Sequence, residues 1–245
     1  MRIALWPLAA LVAFAPVSFD QSRPEPVPLQ TTSGTGFAGA PYSGKETTVK
    51  VQTLTDGTTT TETFVELIWR DADGRTRRDM IQHTPSGAEY RQVIITDPVT
   101  GLYSKWMVGY PSDKKVMHIW PNAQQVTAPI PAGKPPVNPG TTTPTPDLQR
   151  EILTPQEING IYAEGWRATR TIQLSEESSK RVIEVTNEIW TSPELRIMVR
   201  QIHDDPRKGK ETTDVTDVVR GDPDPGLFQA PQGYEIADHR AQNRR

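Results

Sequence analysis

Apolar residues recur at every second position through much of residues 46–120, which is the period of a β-strand with one buried face. Val65, Leu67 and Trp69 share one face of such a strand, and Glu66 and Arg70 lie on the other. An Asp-Gly pair at 56–57 is typical of a hairpin turn. The pattern predicts consecutive antiparallel hairpins.

The same period returns in residues 148–236, where Ile183, Val185 and Ile189 are in phase. The Asn-Gly pair at 159–160 is a strong hairpin signal. We therefore expect an all-β fold, a curved antiparallel meander sheet or half-barrel of roughly ten strands with few or no long helices. A concave sheet face can hold an apolar ligand.

The N-terminus has the features of a secretory signal peptide, which we place at residues 1–19. Arg2 is the only charged residue before Asp20, and an apolar run extends from Ile3 to Ala15. The run is shorter than the roughly 20 residues that span a bilayer, and Pro7 interrupts it. We expect a periplasmic or extracellular protein with no stable membrane span after processing.

Shifts in composition predict the remaining boundaries. We expect a disordered Pro/Gly/Thr-rich tether at 20–45, one β domain at 46–236 and a polar tail at 237–245. A Pro-rich insertion at 121–147 separates the first half, 46–120, from the second half, 148–236; it either divides two sub-domains or lies across one sheet. Near the C-terminus, a short helical turn should dock Leu227 and Phe228 on the sheet. The chain after Tyr234 should fray.

Composition and charge exclude several classes of protein. Lys and Arg number 27 against 30 Asp and Glu, a formal net charge of -3, which argues against a nucleic-acid partner. The absence of Cys excludes disulfides, thiolate metal sites, a cysteine nucleophile and a lipidated N-terminal Cys. The hydrophobic content of 35% suffices for a thin core under a sheet.

Two motifs that resemble cofactor sites have simpler interpretations. Residues 34–39 match the glycine spacing of a dinucleotide loop, but no strand is predicted before them and no helix after them. Residues 71–74 resemble the start of a calcium loop, yet position twelve is Gln82, which lacks a carboxylate. We interpret them as tether and turn, and predict no cofactor.

Nothing in the spacing of the remaining polar residues requires catalysis or a metal. His83, His118 and the stretch 203–205 (His-Asp-Asp) could ligate zinc only if the fold brought them together. Ser192 lies in a tight turn, but no Gly-x-Ser-x-Gly context is present. We predict no catalytic residue, no metal ligand and no enzyme activity.

The aromatic residues are the best candidates for a binding surface. They either fill the core or line a concave apolar groove, and the pattern alone does not separate the two. The candidate ligand-binding residues are Trp69, Trp106, Trp120, Trp166, Trp190 and Phe228.

Motifs in the second half carry a family resemblance. They are Asn159-Gly160-Ile161, Gly165-Trp166, residues 188–195 (EIWTSPEL), residues 220–228 (RGDPDPGLF) and residues 231–234 (PQGY). The sequence resembles a group of uncharacterised exported bacterial β-rich proteins and, more distantly, the periplasmic lipoprotein-carrier (LolA/LolB-like) superfamily. That resemblance implies a half-barrel and an envelope setting. The carriers cover their cavity with helices that this sequence does not predict, so no functional residue is transferred.

These observations favour an exported, non-enzymatic protein that binds or carries an amphiphile, such as a lipid or a lipoprotein acyl chain, on a concave apolar face. The alternative is a structural or interaction module of the envelope, whose partner would be an envelope protein. A hydrolase is disfavoured because no nucleophile has a suitable context.

Overall fold

The computed structural model describes residues 38–54, 56–111, 114–122, 147–176 and 179–240. The predicted signal peptide lies outside these residues, as do most of the predicted tether and of the Pro-rich insertion. The described residues form twelve strands and one 3-10 turn but no α-helix, so no helix in them is long and apolar enough to cross a membrane.

The strands follow one another with short connections. In chain order they are β1 (Tyr42–Thr53), β2 (Thr59–Arg70), β3 (Thr76–His83), β4 (Glu89–Asp97), β5 (Leu102–Val108), β6 (Val116–Pro121), β7 (Leu148–Ile158), β8 (Ile161–Glu176), β9 (Ser179–Ser192), β10 (Ile197–Asp205), β11 (Gly209–Arg220) and β12 (Glu235–Asp238), with the 3-10 turn at Pro225–Phe228.

All twelve strands belong to one open sheet, in the order β12-β6-β5-β4-β3-β2-β1-β11-β10-β9-β8-β7. Every neighbouring pair is antiparallel except β12 and β6, which are parallel. The prediction of a curved, all-β, antiparallel sheet is confirmed. The two meanders join through β1 and β11, so β6 and β7 lie in opposite halves of the sheet.

The sheet curls strongly in its second half. The pairing register shifts in the β1–β11, β9–β10 and β7–β8 pairs, and such bulges increase local twist. As a result the β7–β8 turn reaches β11, where the Asn159 side-chain amide donates to the Val215 carbonyl at 2.9 Å. Asn159 and Gly160 both have positive φ, as the predicted Asn-Gly turn requires.

We call the sheet face that carries Tyr42, Ile68 and Val215 the inner face, because the β7–β8 turn packs against it. Its hydrophobic cluster also includes Ile158, Ile161, Ala163, Trp190, Leu195, Ile197 and Val199. Arg70 is only 1% exposed, and its hydrogen bonds connect this cluster to the backbone. Its guanidinium donates to the Ala40 and Leu195 carbonyls and lies 4.8 Å from the centre of the Tyr42 ring.

The outer face of the first half is covered by the chain's own C-terminal segment. Val93, Ile95, Trp106 and Met117 form a buried cluster against which Phe228 and Tyr234 pack. Hydrogen bonds hold the segment in place: Arg77 Nη1 donates to the Leu227 carbonyl at 2.8 Å, and the Tyr234 hydroxyl donates to the Met107 carbonyl at 2.6 Å. The predicted turn therefore docks on the sheet, and it seals this apolar face.

Residues 235–240 do not fray as predicted. β12 adds to β6, and the His239 backbone N–H donates to the Ile119 carbonyl at 2.8 Å. Four residues are too few to show a strand period, which is why the sequence pattern gave no sign of this strand.

Candidate functional site

A cavity of about 470 Å³ lies beside β5 and β6, and Tyr110 and Lys114 also line it. In the pairing of β5 with β6, Lys105 lies opposite His118 and Tyr103 lies opposite Trp120. Because opposite residues share a sheet face, the unbroken registers from β2 to β6 place these side chains on the inner face. The lining residues are Lys105, Trp106, Met107, Tyr110, Lys114, Val116, His118 and Trp120.

Two of the lining residues, His118 and Trp120, belong to a group of packed rings. The Trp120 indole stacks on His118 and on His239, with ring centres 5.5 and 5.0 Å apart, and its centre lies 5.6 Å from that of Tyr103. His118 Nδ1 and His239 Nε2 are 3.0 Å apart, within hydrogen-bond distance. Burial raises the pKa of the Tyr103 phenol and so favours its neutral form. β12 therefore holds Trp120 in place through His239.

The charged lining of the cavity is cationic. Lys105 and Lys114 contribute ammonium groups, and none of the described residues that line the cavity is Asp or Glu. Lys105 is half-buried, and within the described chain its side chain has no hydrogen bond or ion pair. Among the described strands, Glu235 on β12 is an acidic residue of this face, and it is exposed and lies beyond β6.

Next to the cavity, the inner face carries buried charges rather than a continuous apolar surface. On β1 to β3, Arg78 pairs with Glu46 at 3.1 Å and with Glu66 through its Nε at 2.6 Å. Burial raises the pKa of the Glu66 carboxyl, although Arg78 opposes the shift. Among the described residues, Glu46 Oε2 is buried without a hydrogen-bond partner. The inner face of β1 to β3 is therefore ionic at this point, unlike the cavity lining on β5 and β6.

The structure does not gather the six predicted binding residues into one site. Trp106 and Trp120 line the cavity, although Trp106 is 3% exposed and belongs to the outer cluster. Trp69 packs under the Arg77 guanidinium, and Phe228 covers the outer cluster. Trp166 lies half-buried on β8, and Trp190 is buried in the inner cluster. Their binding role stays a prediction.

The sequence analysis missed the polar and aliphatic part of the cavity. Lys105, Met107 and His118 occupy the phase of β5 and β6 opposite to the buried Ser104, Trp106 and Met117. The alternating pattern separated the side chains of each strand into two sets, and the sequence analysis took its candidate binding residues from the more apolar set. One feature of the sequence could have indicated the cavity. Lys105 lies in the middle of a predicted strand, with no acidic residue near it in sequence.

The other candidate residues fall into structural roles. His83, His118 and His203 lie on β3, β6 and β10, and the described residues contain no group of three His, Asp or Glu placed to hold a metal. The Ser192 hydroxyl is 1% exposed and accepts the Leu195 N–H at 3.3 Å, which stabilises the β9–β10 turn. Asp71 accepts the backbone N–H groups of Asp73 and Arg75, as expected for a turn.

No family model and no curated protein matches the chain. Among solved structures it is similar to MucB in the MucA/MucB complex of Pseudomonas aeruginosa (14% identity, TM-score 0.42, 80% of this chain and 58% of that one). It is also similar to a LolA superfamily protein from Nitrosomonas europaea (10% identity, TM-score 0.33, 79% of this chain and 92% of that one). A third similar structure is a DUF1329 family protein from Desulfovibrio piger (10% identity, TM-score 0.20, 78% of this chain and 90% of that one). The chain spans little more than half of the MucB length. Likenesses at these scores carry no conclusion about function.

Proposed function

We propose that this chain is an exported, non-catalytic binding protein that holds one amphiphile in the cavity between β5 and β6. The cavity volume of about 470 Å³ lies within the roughly 300–1,000 Å³ typical of small-molecule sites. Trp120, Met107 and Val116 would contact the apolar part of the ligand. Binding would be driven by burial of that part, at about 25 cal/mol per Å² before ordering costs.

The observation that carries this proposal is the fixed position of Trp120. A core tryptophan is enclosed by its neighbours, whereas Trp120 is half-buried and presents its ring to an open cavity. Its orientation is set by Tyr103, His118 and His239 rather than by a ligand. A binding surface that is rigid before the ligand arrives loses little entropy on binding.

Displacement of a fluorescent fatty acid from the purified protein tests the proposal. We expect saturable binding that Trp120→Ala weakens by about tenfold or more, since removing a buried aromatic contact costs more than about 1.4 kcal/mol. Phe64→Ala is the matched control, because Phe64 is 55% exposed on β2 and does not line the cavity. If a well-folded sample binds no amphiphile, the proposal fails.

A second candidate is an interaction module of the cell envelope, and the edge strand β7 favours it. Among the described strands, β7 pairs only with β8, and its Ile152 side chain is 88% exposed. A partner strand could add to this edge. Crosslinking in envelope extracts distinguishes the two functions. The unmodified protein is compared with an Ile152→Lys variant and with a variant that lacks residues 121–146. A crosslink that neither change reduces would argue against this candidate.

A further inference from the structure

The charge of the cavity identifies the class of amphiphile. We propose that the ligand is a single-chain amphiphile with a carboxylate head, and that the Lys105 ammonium binds this head. This inference rests on the proposed function and goes beyond it, because it assigns the chemistry of the polar end and names the residue that recognises it.

The position of Lys105 is unusual for a lysine. It lies in the middle of β5, half-buried, whereas lysine side chains mostly extend into solvent. Its inner-face neighbours are Ile94 on β4, His118 on β6, and Tyr103 and Met107 on its own strand. None of them carries a carboxylate, so none of these four neighbours neutralises the ammonium.

Among the residues that the structure describes, the other half-buried cations of the first half of the sheet either bind an acidic partner or, in the case of Lys50, lie opposite acidic residues in the strand pairing. Arg77 binds Asp79 at 2.6 Å, Arg78 binds Glu46 and Glu66, and Arg75 binds Asp71 at 2.5 Å. Lys105 departs from this arrangement and lines a cavity. A partly desolvated cation gains free energy when an anion enters beside it.

The shape and the donors limit the choice of anion. The cavity is of moderate size, which suits one alkyl chain better than several. Lys105 carries a point charge, whereas bidentate recognition of a phosphate head needs arginine, and no arginine is among the described residues that line the cavity. A monoanionic carboxylate fits the Lys105 ammonium, with the chain lying along Met107 and Trp120.

Calorimetric titration of the purified protein tests the inference. The ligands share a twelve-carbon chain and differ in the head: dodecanoate, dodecanol and dodecyltrimethylammonium, each below its micelle concentration. We expect dodecanoate to bind about tenfold to hundredfold tighter than dodecanol, which is the range for a charged hydrogen bond. The cationic ligand should bind weakest, and added salt should narrow the differences.

Two variants assign the preference to Lys105. Lys105→Met keeps the length and the apolar stem, so dodecanol binding should persist while the preference for dodecanoate disappears. Lys105→Arg keeps the charge and should retain the preference. Their far-ultraviolet circular dichroism and urea midpoints establish that both variants fold.

The outcomes separate this inference from the proposed function. Equal binding of dodecanol and dodecanoate to the unmodified protein would refute the carboxylate head and leave amphiphile binding intact. A preference that persists in Lys105→Met would refute the role of Lys105. If none of the three ligands binds, the proposed function itself fails, and this inference fails with it.

Discussion

Substitution of Gly165 by alanine should destabilise the protein through one buried ring. Gly165 on β8 lies directly opposite Trp190 on β9. An added Cβ would lie 2.5 Å from Trp190 Cε3 and 2.6 Å from Cδ2 and Cζ3, whereas ordinary contacts begin near 3.4 Å. Trp190 is 4% exposed, so the ring has no solvent-filled space into which it can move.

The cost of this substitution has two parts. Forcing extra volume into a packed core costs about 1–3 kcal/mol. A displaced indole also gives up the hydrogen bond from Trp190 Nε1 to Glu188, which is 2.7 Å long and is worth about 1.5–3 kcal/mol because its acceptor is charged. We expect Gly165→Ala to lower the free energy of unfolding by about 3–5 kcal/mol.

If the Trp190 ring is free to move, Gly165→Ala should instead raise the free energy of unfolding. Glycine in a strand interior is less favourable than alanine by about 0.5–1 kcal/mol, so without the clash Gly165→Ala would stabilise the protein. Urea unfolding followed by far-ultraviolet circular dichroism measures the sign directly. A loss below about 1 kcal/mol would contradict the reasoning and would favour a Trp190 ring that can turn aside, as in an open groove.

A double-mutant cycle isolates the contact. In a Trp190→Leu background the atoms that the new Cβ would overlap are gone, so Gly165→Ala should cost little. All four proteins are compared in one concentration of sucrose, which stabilises the less stable variants. Equal costs of Gly165→Ala in the two backgrounds would refute the assignment to Trp190.

Three further predictions concern other buried groups. Arg70→Met leaves the Leu195 carbonyl without its donor and should cost at least about 2 kcal/mol in urea unfolding; a loss below 0.5 kcal/mol would contradict this. Burial raises the pKa of Tyr42 to about 12, above its unfolded value of 10.0, so stability present below pH 10 should fall by roughly 2–3 kcal/mol as the pH rises to 12. Tyr42→Phe should lack that loss. If the free energy of unfolding depended on pH in the same way in both proteins, this prediction would be refuted. Gly209→Ala places a Cβ against the Val51 backbone carbonyl at a positive φ, so its thermal midpoint should fall by several degrees, and an unchanged midpoint would contradict the predicted overlap.

Local periodicity predicted much of the secondary structure because strand burial leaves a mark at every second residue. The alternation around Val65 and Ile183, the Asn159-Gly160 turn and the short helical turn at Pro225–Phe228 all appear in the structure. Each of these features depends on residues that are close in sequence. Alternation did not reveal β12, which is too short for a period to be visible.

The amino-acid sequence by itself determined that this chain forms antiparallel hairpins with one apolar side. Tertiary structure alone decided that β1 pairs with β11, that residues near Phe228 seal the apolar side of β4 and β5, and that Lys105 and Trp120 line a cavity on the other side. The physical reason is that side-chain alternation specifies two faces of a strand but not what covers either face. That choice depends on contacts between segments more than a hundred residues apart, such as Tyr234 with Met107 and Arg70 with Leu195.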